Sequence, residues 1–160
     1  MSKHRHTVVP RTLCFVFHQD ELLLIKANAS KDWEGFYNAL GGHIEKGEDI
    51  IDNAVREIKE ESGLDVTETK LKGIVHASNF FGKDIMMFVT TSKASTKTLD
   101  EIETREGNLE WVRVSELDKL KIFDDIKPIL SKILKNDSDE VFTAASEFDG
   151  KDGLLKISFS

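Results

Sequence analysis

A chain of 160 residues with a net charge of −7 is long enough for one domain with a buried core. The negative charge argues against a general affinity for nucleic acid or anionic membrane, and an acidic protein that handles phosphates needs a divalent cation between itself and the substrate. No apolar run approaches the roughly 20 residues of a membrane span, and we expect no secretory signal. The single cysteine, Cys14, is expected to be a small core residue in a protein of the reducing cytoplasm.

The first part of the chain predicts strands followed by a helix. Thr12–Phe17 and Glu21–Ala27 are β-rich runs separated by a short turn, as in a hairpin. Asn28–Gly35 is predicted as a loop, and Phe36–Gly42 as a short strand that ends in two glycines. The helix is predicted over Asp49–Glu61.

The second part of the chain predicts further strands and one more long helix. In chain order we expect two strands about a turn at Gly82, a polar loop, a strand, a helical turn, an amphipathic helix and a closing hairpin: Leu71–Phe81, Lys83–Ala94, Ser92–Asn108, Leu109–Val114, Ser115–Leu120, Asp124–Lys135 and Glu140–Ser160. This mixture indicates a mixed sheet covered by helices on its faces. No linker or repeat divides the chain, so we expect a single domain over residues 1–160.

The first helix concentrates negative charge beside an apolar stripe. At 3.6 residues per turn, Glu57, Glu60 and Glu61 project within roughly 100° of one another. Either Glu48 or Asp49 is predicted as the N-cap. The three carboxylates are either a solvated surface or a seat for Mg²⁺, which binds through a few carboxylates, its own waters and substrate phosphates.

The residues around this helix form a recognisable pattern of glycines, acids and one arginine. The pattern consists of Gly42, Glu48, Arg56, Glu57, Ile58, Glu60, Glu61, Gly63 and Leu64. The segment, residues 42–64, resembles the Nudix box at every fixed position, and the chain is identified as a member of the Nudix hydrolase family. The resemblance implies an α/β fold, a Nudix-type α/β/α sandwich with a mixed β-sheet in a single domain.

The resemblance also implies a reaction and a metal site. Nudix enzymes hydrolyse a nucleoside diphosphate linked to another group X, with Mg²⁺ or Mn²⁺ as the cofactor. The implied metal ligands are the carboxylates of the helix and one carbonyl: Glu57, Glu60, Glu61 and Gly42. Arg56 is expected to pair with Glu48 and to orient the helix without touching the substrate.

A carboxylate must take the proton from the water that attacks phosphorus. In relatives this base is either a glutamate of the box or one from a later loop. Glu60 is the leading candidate within the box, and Glu106 is the candidate in the loop, as base or as a further metal ligand. Glu101 and Glu103 compete with Glu106.

The sequence around the two glycines, Trp33–Glu48, is similar to that of MutT-like enzymes, which remove oxidised purine nucleoside triphosphates such as 8-oxo-dGTP. The resemblance and the strand positions supply candidate substrate-binding residues: Lys26, Asn38, Phe123, Asp124 and Asp125. Each has a structural alternative, such as a solvated strand end for Lys26, a sheet-edge contact for Asn38 and an N-cap for Asp124.

The most specific hypothesis is an Mg²⁺-dependent enzyme that converts a (d)NTP or an oxidised purine NTP to NMP and pyrophosphate. The alternatives are an ADP-ribose or dinucleoside polyphosphate hydrolase, and a non-catalytic Nudix-fold nucleotide sensor. We expect a nucleotide substrate, no nucleic acid or membrane partner, and a monomer or homodimer.

Overall fold

The computed structural model describes residues 3–28 and 33–160, in which the strands form one mixed sheet. The elements are β1 (Val9–His18), β2 (Glu21–Ala27), β3 (Tyr37–Asn38), α1 (Ile50–Ser62), β4 (Val66–Phe80), β5 (Lys83–Ala94), β6 (Gly107–Arg113), a 3₁₀ helix (Val114–Lys119), α2 (Ile126–Lys135), β7 (Phe142–Phe148) and β8 (Leu154–Phe159). Within this described part the strand order is β3-β2-β1-β5-β4-β7-β8, and β6 pairs with β2. The β1–β5 and β4–β7 pairs are parallel, and the other pairs are antiparallel.

The sheet is covered by one helix on each face. Successive residues of a strand point to opposite faces. In β1, Phe15 packs in the same cluster as Ile129 of α2, whereas Cys14 packs in the same cluster as Ile58 of α1. The predicted α/β/α sandwich is therefore confirmed. Cys14 is buried as expected, and burial raises the pKa of its thiol to about 11.

Both ends of α1 are held by the local signals that its sequence carries. The carboxylate of Asp49 accepts a hydrogen bond from the Ile51 N–H at 2.9 Å, so Asp49 is the N-cap. Gly63 adopts a left-handed φ of 78°, and its N–H donates to the Lys59 carbonyl at 2.9 Å. The helix predicted over Asp49–Glu61 is confirmed to within one residue at each end.

The strand predicted over Phe36–Gly42 is shorter than expected, because only β3 lies in the ladder. Beyond it the chain moves from β2 to β1, where Leu40 pairs with Cys14 in an isolated bridge. Gly41 makes this move possible, with a φ of 142° and a Cα that faces the Thr12 carbonyl so closely that a side chain would collide with it.

Other boundaries differ by a few residues. The strand β4 begins at Val66 and not at the predicted Leu71. Register shifts interrupt its pairing with β5 in this part, and Glu68 has a φ of 51°. Both features break the alternating pattern from which a strand is predicted. The predicted loop Asn28–Gly35 falls partly on residues 29–32, outside the described residues. In the described part of the chain, no helix is long and apolar enough to span a bilayer.

The packing of α2 on the sheet can be tested by truncating Ile129, which is 0 % exposed. Ile129→Ala should lower the free energy of unfolding by about 2–5 kcal/mol, because it leaves a cavity under the helix. Leu134→Ala is the matched control in the same helix, since Leu134 is 39 % exposed, and should change that free energy by less than about 1 kcal/mol. Urea denaturation followed by circular dichroism measures both, and equal losses would contradict this orientation of α2.

Candidate active site

A bidentate ion pair joins α1 to the loop that precedes it. The Arg56 Nε lies 2.6 Å from Glu48 Oε1, and Nη2 lies 3.1 Å from Oε2. These hydrogen bonds, with one from the Glu45 N–H, lower the pKa of Glu48 to about 2. The predicted pairing of Arg56 with Glu48 is confirmed, and it holds the start of the helix in one position relative to the loop.

Asn53 extends this connection into the sheet, and the sequence analysis missed it. Asn53 is fully buried. Its Nδ2 donates to the His43 carbonyl and to Glu48 Oε2, both at 2.8 Å, and its Oδ1 accepts a hydrogen bond from the Thr12 hydroxyl at 2.5 Å. An asparagine beside the apolar stripe of an amphipathic helix was the available signal, because a polar group at that position must find buried partners.

Glu57 lies directly over Gly42. A Cβ at position 42 would overlap the Glu57 carboxylate, so the close approach requires glycine. The Glu57 side chain is 14 % exposed, and burial raises its pKa while Arg56, with Nη1 at 3.3 Å, acts in the opposite direction. The Gly42 carbonyl accepts a hydrogen bond from the Thr12 N–H at 2.9 Å. The structure thus brings two candidate ligands together, with one lone pair of the carbonyl already engaged.

Glu61 supplies a buried carboxylate oxygen that lacks a partner. Within the described residues, its Oε2 has no hydrogen bond. The pKa of Glu61 is raised to about 8, chiefly by burial and then by the charges of Glu106 and Glu57, while a hydrogen bond from the Gly41 backbone opposes the rise. An unpaired carboxylate oxygen among other carboxylates is a suitable ligand for a divalent cation, so the donor set fits the metal that the box implies.

Glu60 points toward Arg56 in this structure. Its carboxylate is 58 % exposed and lies 3.1 Å and 3.2 Å from Arg56 Nη1. For residues 3–28 and 33–160, no three acidic, histidine or cysteine side chains are arranged as a ready-made metal site. The orientation of Glu60 contributes to this, and an exposed side chain can rotate toward Glu57 and Glu61.

Glu106 lies next to these carboxylates although it is distant in the sequence. It follows a tight turn in which Thr104 Oγ1 accepts hydrogen bonds from the N–H groups of Glu106 and Gly107, both at 3.2 Å. A cavity of about 540 Å³ is lined by Glu60, Glu61 and Glu106, and we call it the acidic cavity. The competitors Glu101 and Glu103 line it too, so the choice among the loop acids stays a prediction.

A second cavity, of about 360 Å³, adjoins the first at Glu106, which lines both. The rings of Trp33, Phe36 and Phe123 form part of its wall, and we call it the aromatic cavity. The Phe123 centroid lies 5.7 Å from that of Trp33 and 5.5 Å from that of Phe36. Only Phe123 was singled out from the sequence, since contact among the three rings depends on the fold.

Two other predicted substrate-binding residues line the aromatic cavity. The Asn38 Oδ1 accepts a hydrogen bond from the Ala39 N–H at 2.8 Å, so a contact from Asn38 to a ligand would be a donation from its Nδ2 amide. Burial raises the pKa of Asp125 to about 6, and the neighbouring charge of Asp124 adds to the rise.

Lys26 and Asp124 do not line either of the two cavities. The Lys26 Nζ lies over the Tyr37 ring, 5.6 Å from its centroid. Asp124 is exposed just before α2. A contact of either residue with a substrate stays a prediction.

Arg11 brings a positive charge to the aromatic cavity, and the sequence analysis missed it. It lines this cavity near the acidic residues, where its charge opposes the rise in the pKa of Glu61. Arg11 shares one face of β1 with Leu13 and Phe15, and this alternation was the available signal.

Comparison with known proteins identifies the family. The NUDIX domain model matches residues 7–133. The chain belongs to the Nudix family. It is 28% identical over 144 residues to the uncharacterised Nudix hydrolase YvcI of Bacillus subtilis, covering 86% of this chain and 88% of that protein. It is 28% identical over 125 residues to the mouse oxidized purine nucleoside triphosphate hydrolase, covering 78% of this chain and 77% of that one.

Solved structures agree with this assignment. The MutT protein of Bacillus halodurans superimposes with a TM-score of 0.78 at 28% identity, covering 96% of this chain and 98% of that one. The NUDIX domain of Shewanella oneidensis NrtR, complexed with ADP ribose, has a TM-score of 0.67 at 12% identity, covering 82% of this chain and 89% of that one, and shares the fold alone. This MutT-like Nudix hydrolase is thus an enzyme of a family of pyrophosphohydrolases, which generally use divalent cations.

The raised pKa of Asp125 predicts how the stability of this Nudix hydrolase depends on pH. Between pH 3.8, the ordinary pKa of an aspartate, and about pH 6, the native state keeps a proton on Asp125 that the unfolded chain has released. Stability from this group is therefore present at low pH and is lost as the pH rises through that window. Asp125→Asn should remove this loss, so its melting temperature relative to wild type should rise from about pH 4 to about pH 7. Asp124→Asn, at the exposed neighbour, should shift the wild-type profile only slightly, because the charge of Asp124 is the smallest cause of the raised pKa of Asp125. Identical profiles for all three proteins would contradict burial of Asp125.

Proposed function

We propose that this Nudix hydrolase converts a purine nucleoside triphosphate, preferentially an oxidised one such as 8-oxo-dGTP, to NMP and pyrophosphate with Mg²⁺, Mn²⁺ being an alternative. The observation that carries the proposal is the adjacency of the two cavities. One is lined by Glu61, whose carboxylate has an oxygen without a partner among the described residues, the other is lined by three aromatic rings, and Glu106 lines both. A phosphate chain and a base need two such adjoining compartments. Similarity to the mouse oxidized purine nucleoside triphosphate hydrolase supports this choice.

The acidic cavity, together with the adjoining Glu57, is the proposed site of the metal. Glu57, Glu60 and Glu61 would hold it, with Glu106 and the Gly42 carbonyl as further ligands. Glu57 and Gly42 do not line the cavity, but Glu57 lies near enough to Glu61 for its charge to raise the pKa of Glu61. When bound, a divalent cation neutralises charge on the pyrophosphate oxygens and lowers the pKa of the attacking water.

Side chains of the protein would supply the general base, orient the catalytic helix and contact the phosphates. We assign proton removal to Glu60, whose exposed carboxylate can reach the acidic cavity, and Glu106 is the alternative base. Arg56 would act by position, because its pair with Glu48 sets the orientation of α1 and hence of the glutamates. Arg11, at the edge of the aromatic cavity, would meet the negative charge of a phosphate.

The aromatic cavity is the proposed site of the purine nucleobase of the substrate. The rings of Trp33, Phe36 and Phe123 would pack against it. Asn38 would donate from its Nδ2 amide to a purine acceptor. Asp125, with a pKa of about 6, would present either a proton or a lone pair to the purine edge near neutral pH.

Hydrolysis of a substrate panel with Mg²⁺ tests the proposal directly. The panel contains canonical and oxidised NTPs, ADP-ribose and diadenosine polyphosphates. We expect the highest kcat/KM with an oxidised purine NTP. A higher value for ADP-ribose or a dinucleoside polyphosphate would overturn the substrate assignment, and no hydrolysis of any member would favour a non-catalytic sensor. A cytoplasmic location and a monomeric or homodimeric state stay predictions.

Glu60→Gln should reduce kcat by about 10²–10⁴-fold, because the amide neither takes a proton nor carries the charge that holds a cation. Steady-state pyrophosphate release measures the effect. Asp52→Asn is the matched control, since Asp52 is an exposed acid in the first turn of the same helix, and near-wild-type turnover is expected for it. Near-wild-type turnover of Glu60→Gln with a normal circular dichroism spectrum would remove Glu60 from the site.

Asn38→Ala should raise KM for an oxidised purine NTP more than for a pyrimidine NTP, because the Nδ2 donor would be lost from a cavity shaped for the larger base. KM values for 8-oxo-dGTP and dCTP, each measured with wild type and variant, provide the comparison. Equal increases for both substrates would argue against purine recognition by Asn38.

A further inference from the structure

Two hairpin turns lie against each other at the aromatic cavity. The turn between β4 and β5 donates from the Phe81 N–H to the Lys151 carbonyl, in the turn between β7 and β8, at 3.0 Å. The Asn79 amide also donates to the Phe148 carbonyl, at 3.4 Å. The two turns therefore form one continuous wall, which we call the two-hairpin wall. Its cavity-lining members are Phe80, Phe81, Phe148 and Asp152.

Asp152 is the charged member of this wall. Its Oδ2 is buried and has no hydrogen-bond partner among the described residues. The turn itself does not need Asp152, because Asp149 Oδ1 accepts the hydrogen bonds from the N–H groups of Lys151, at 2.9 Å, and Gly153, at 3.1 Å. The Asp152 carboxylate is therefore held in place by a turn that another aspartate builds.

A buried acceptor without a donor is unfavourable, and more so when the group carries a charge. The other members of the two-hairpin wall are aromatic, so they offer Asp152 no strong donor. Arg11 lines the same cavity, but no ion pair with Asp152 is present in the part of the chain that the structure describes. A ligand in the cavity that carries an N–H or O–H group would complete the arrangement.

The position of Asp152 indicates which part of a nucleotide it would meet. The phosphates belong to the end of the cavity at Glu106, where the acidic cavity begins. Phe80, Phe81 and Phe148 line the same cavity as Asp152 and give this wall flat apolar surface, which suits a purine ring better than the hydroxylated sugar.

We propose that Asp152 is a specificity-determining residue that accepts a hydrogen bond from an amino or imino N–H of the purine base. This inference rests on the proposed function and adds a second recognition element to it, from the closing hairpin and not from the segment around α2. A carboxylate at this position favours bases with an N–H donor on that edge, since a base without the donor leaves the acceptor unpaired.

The test is the effect of Asp152→Ala on KM and kcat for 8-oxo-dGTP and dCTP, and on the ratio of KM values for GTP and dGTP. We expect KM for 8-oxo-dGTP to rise about tenfold or more, because a hydrogen bond to a charged group is lost. The kcat value, the KM for dCTP and the GTP-to-dGTP ratio should stay close to wild type. Asp152→Asn keeps one acceptor oxygen and should recover part of the affinity.

Lys151→Gln is the matched control, because this exposed side chain is in the same turn and does not line the described cavity. It should leave every KM unchanged. An unaltered KM for 8-oxo-dGTP in Asp152→Ala would overturn the inference. An equal rise for dCTP, or a changed GTP-to-dGTP ratio, would overturn it as well, because the contact would then be to the sugar or to the fold.

A binding measurement separates this inference from the proposed function. Trp33 lines the aromatic cavity, whereas the Trp111 Nε1 donates to the Lys97 carbonyl at 3.1 Å outside it. In a Trp111→Phe background, the fluorescence of Trp33 should report binding of the nucleotide 8-oxo-dGMP without any hydrolysis. Asp152→Ala should weaken that binding about tenfold or more, even if wild type hydrolyses no triphosphate. Equal affinities of the two proteins would reject the role of Asp152 alone.

Discussion

The bidentate pair between Arg56 and Glu48 is the contact on which the geometry of the site depends. Arg56 lies on α1 and Glu48 in the loop before it, so the two hydrogen bonds, of 2.6 Å and 3.1 Å, hold helix and loop together. Asn53 continues this link to the Thr12 hydroxyl in β1. The helix is thereby fixed against the sheet edge where Gly42 passes under Glu57. A guanidinium suits this role because it donates two parallel hydrogen bonds in a rigid plane.

The anchoring of α1 holds several carboxylates close together, an arrangement that is energetically unfavourable without a bound ligand. Glu61 keeps a buried carboxylate oxygen without a partner, and the nearby charges of Glu57 and Glu106 help to raise its pKa to about 8. Such a cluster persists because the surrounding packing of α1 and β1 determines it, as is common where a protein binds a ligand. Asp152, which lines the aromatic cavity, likewise keeps a buried carboxylate oxygen without a partner among the described residues, in a turn built by Asp149.

The parts of the site that were predicted correctly are those encoded by local spacing. The caps of α1 follow from residues next to its ends. The common side of α1 expected for Glu57, Glu60 and Glu61 stays a prediction, since the Glu60 carboxylate lies against Arg56. Lys26 and Asp124 line neither cavity, so their predicted contact with a substrate stays a prediction. Which side chains line a cavity depends on direction in space, which local spacing does not specify.

The sequence by itself determined the family and the α/β/α architecture, because these depend on periodicity and on a motif within residues 42–64. Only the tertiary structure decided which distant residues share a cavity. Arg11, Trp33, Glu106 and Asp152 come from four separate segments and line one cavity because the fold brings β1, two connecting loops and the closing hairpin together there. Such contacts depend on strand order and register, and no spacing along the chain expresses these.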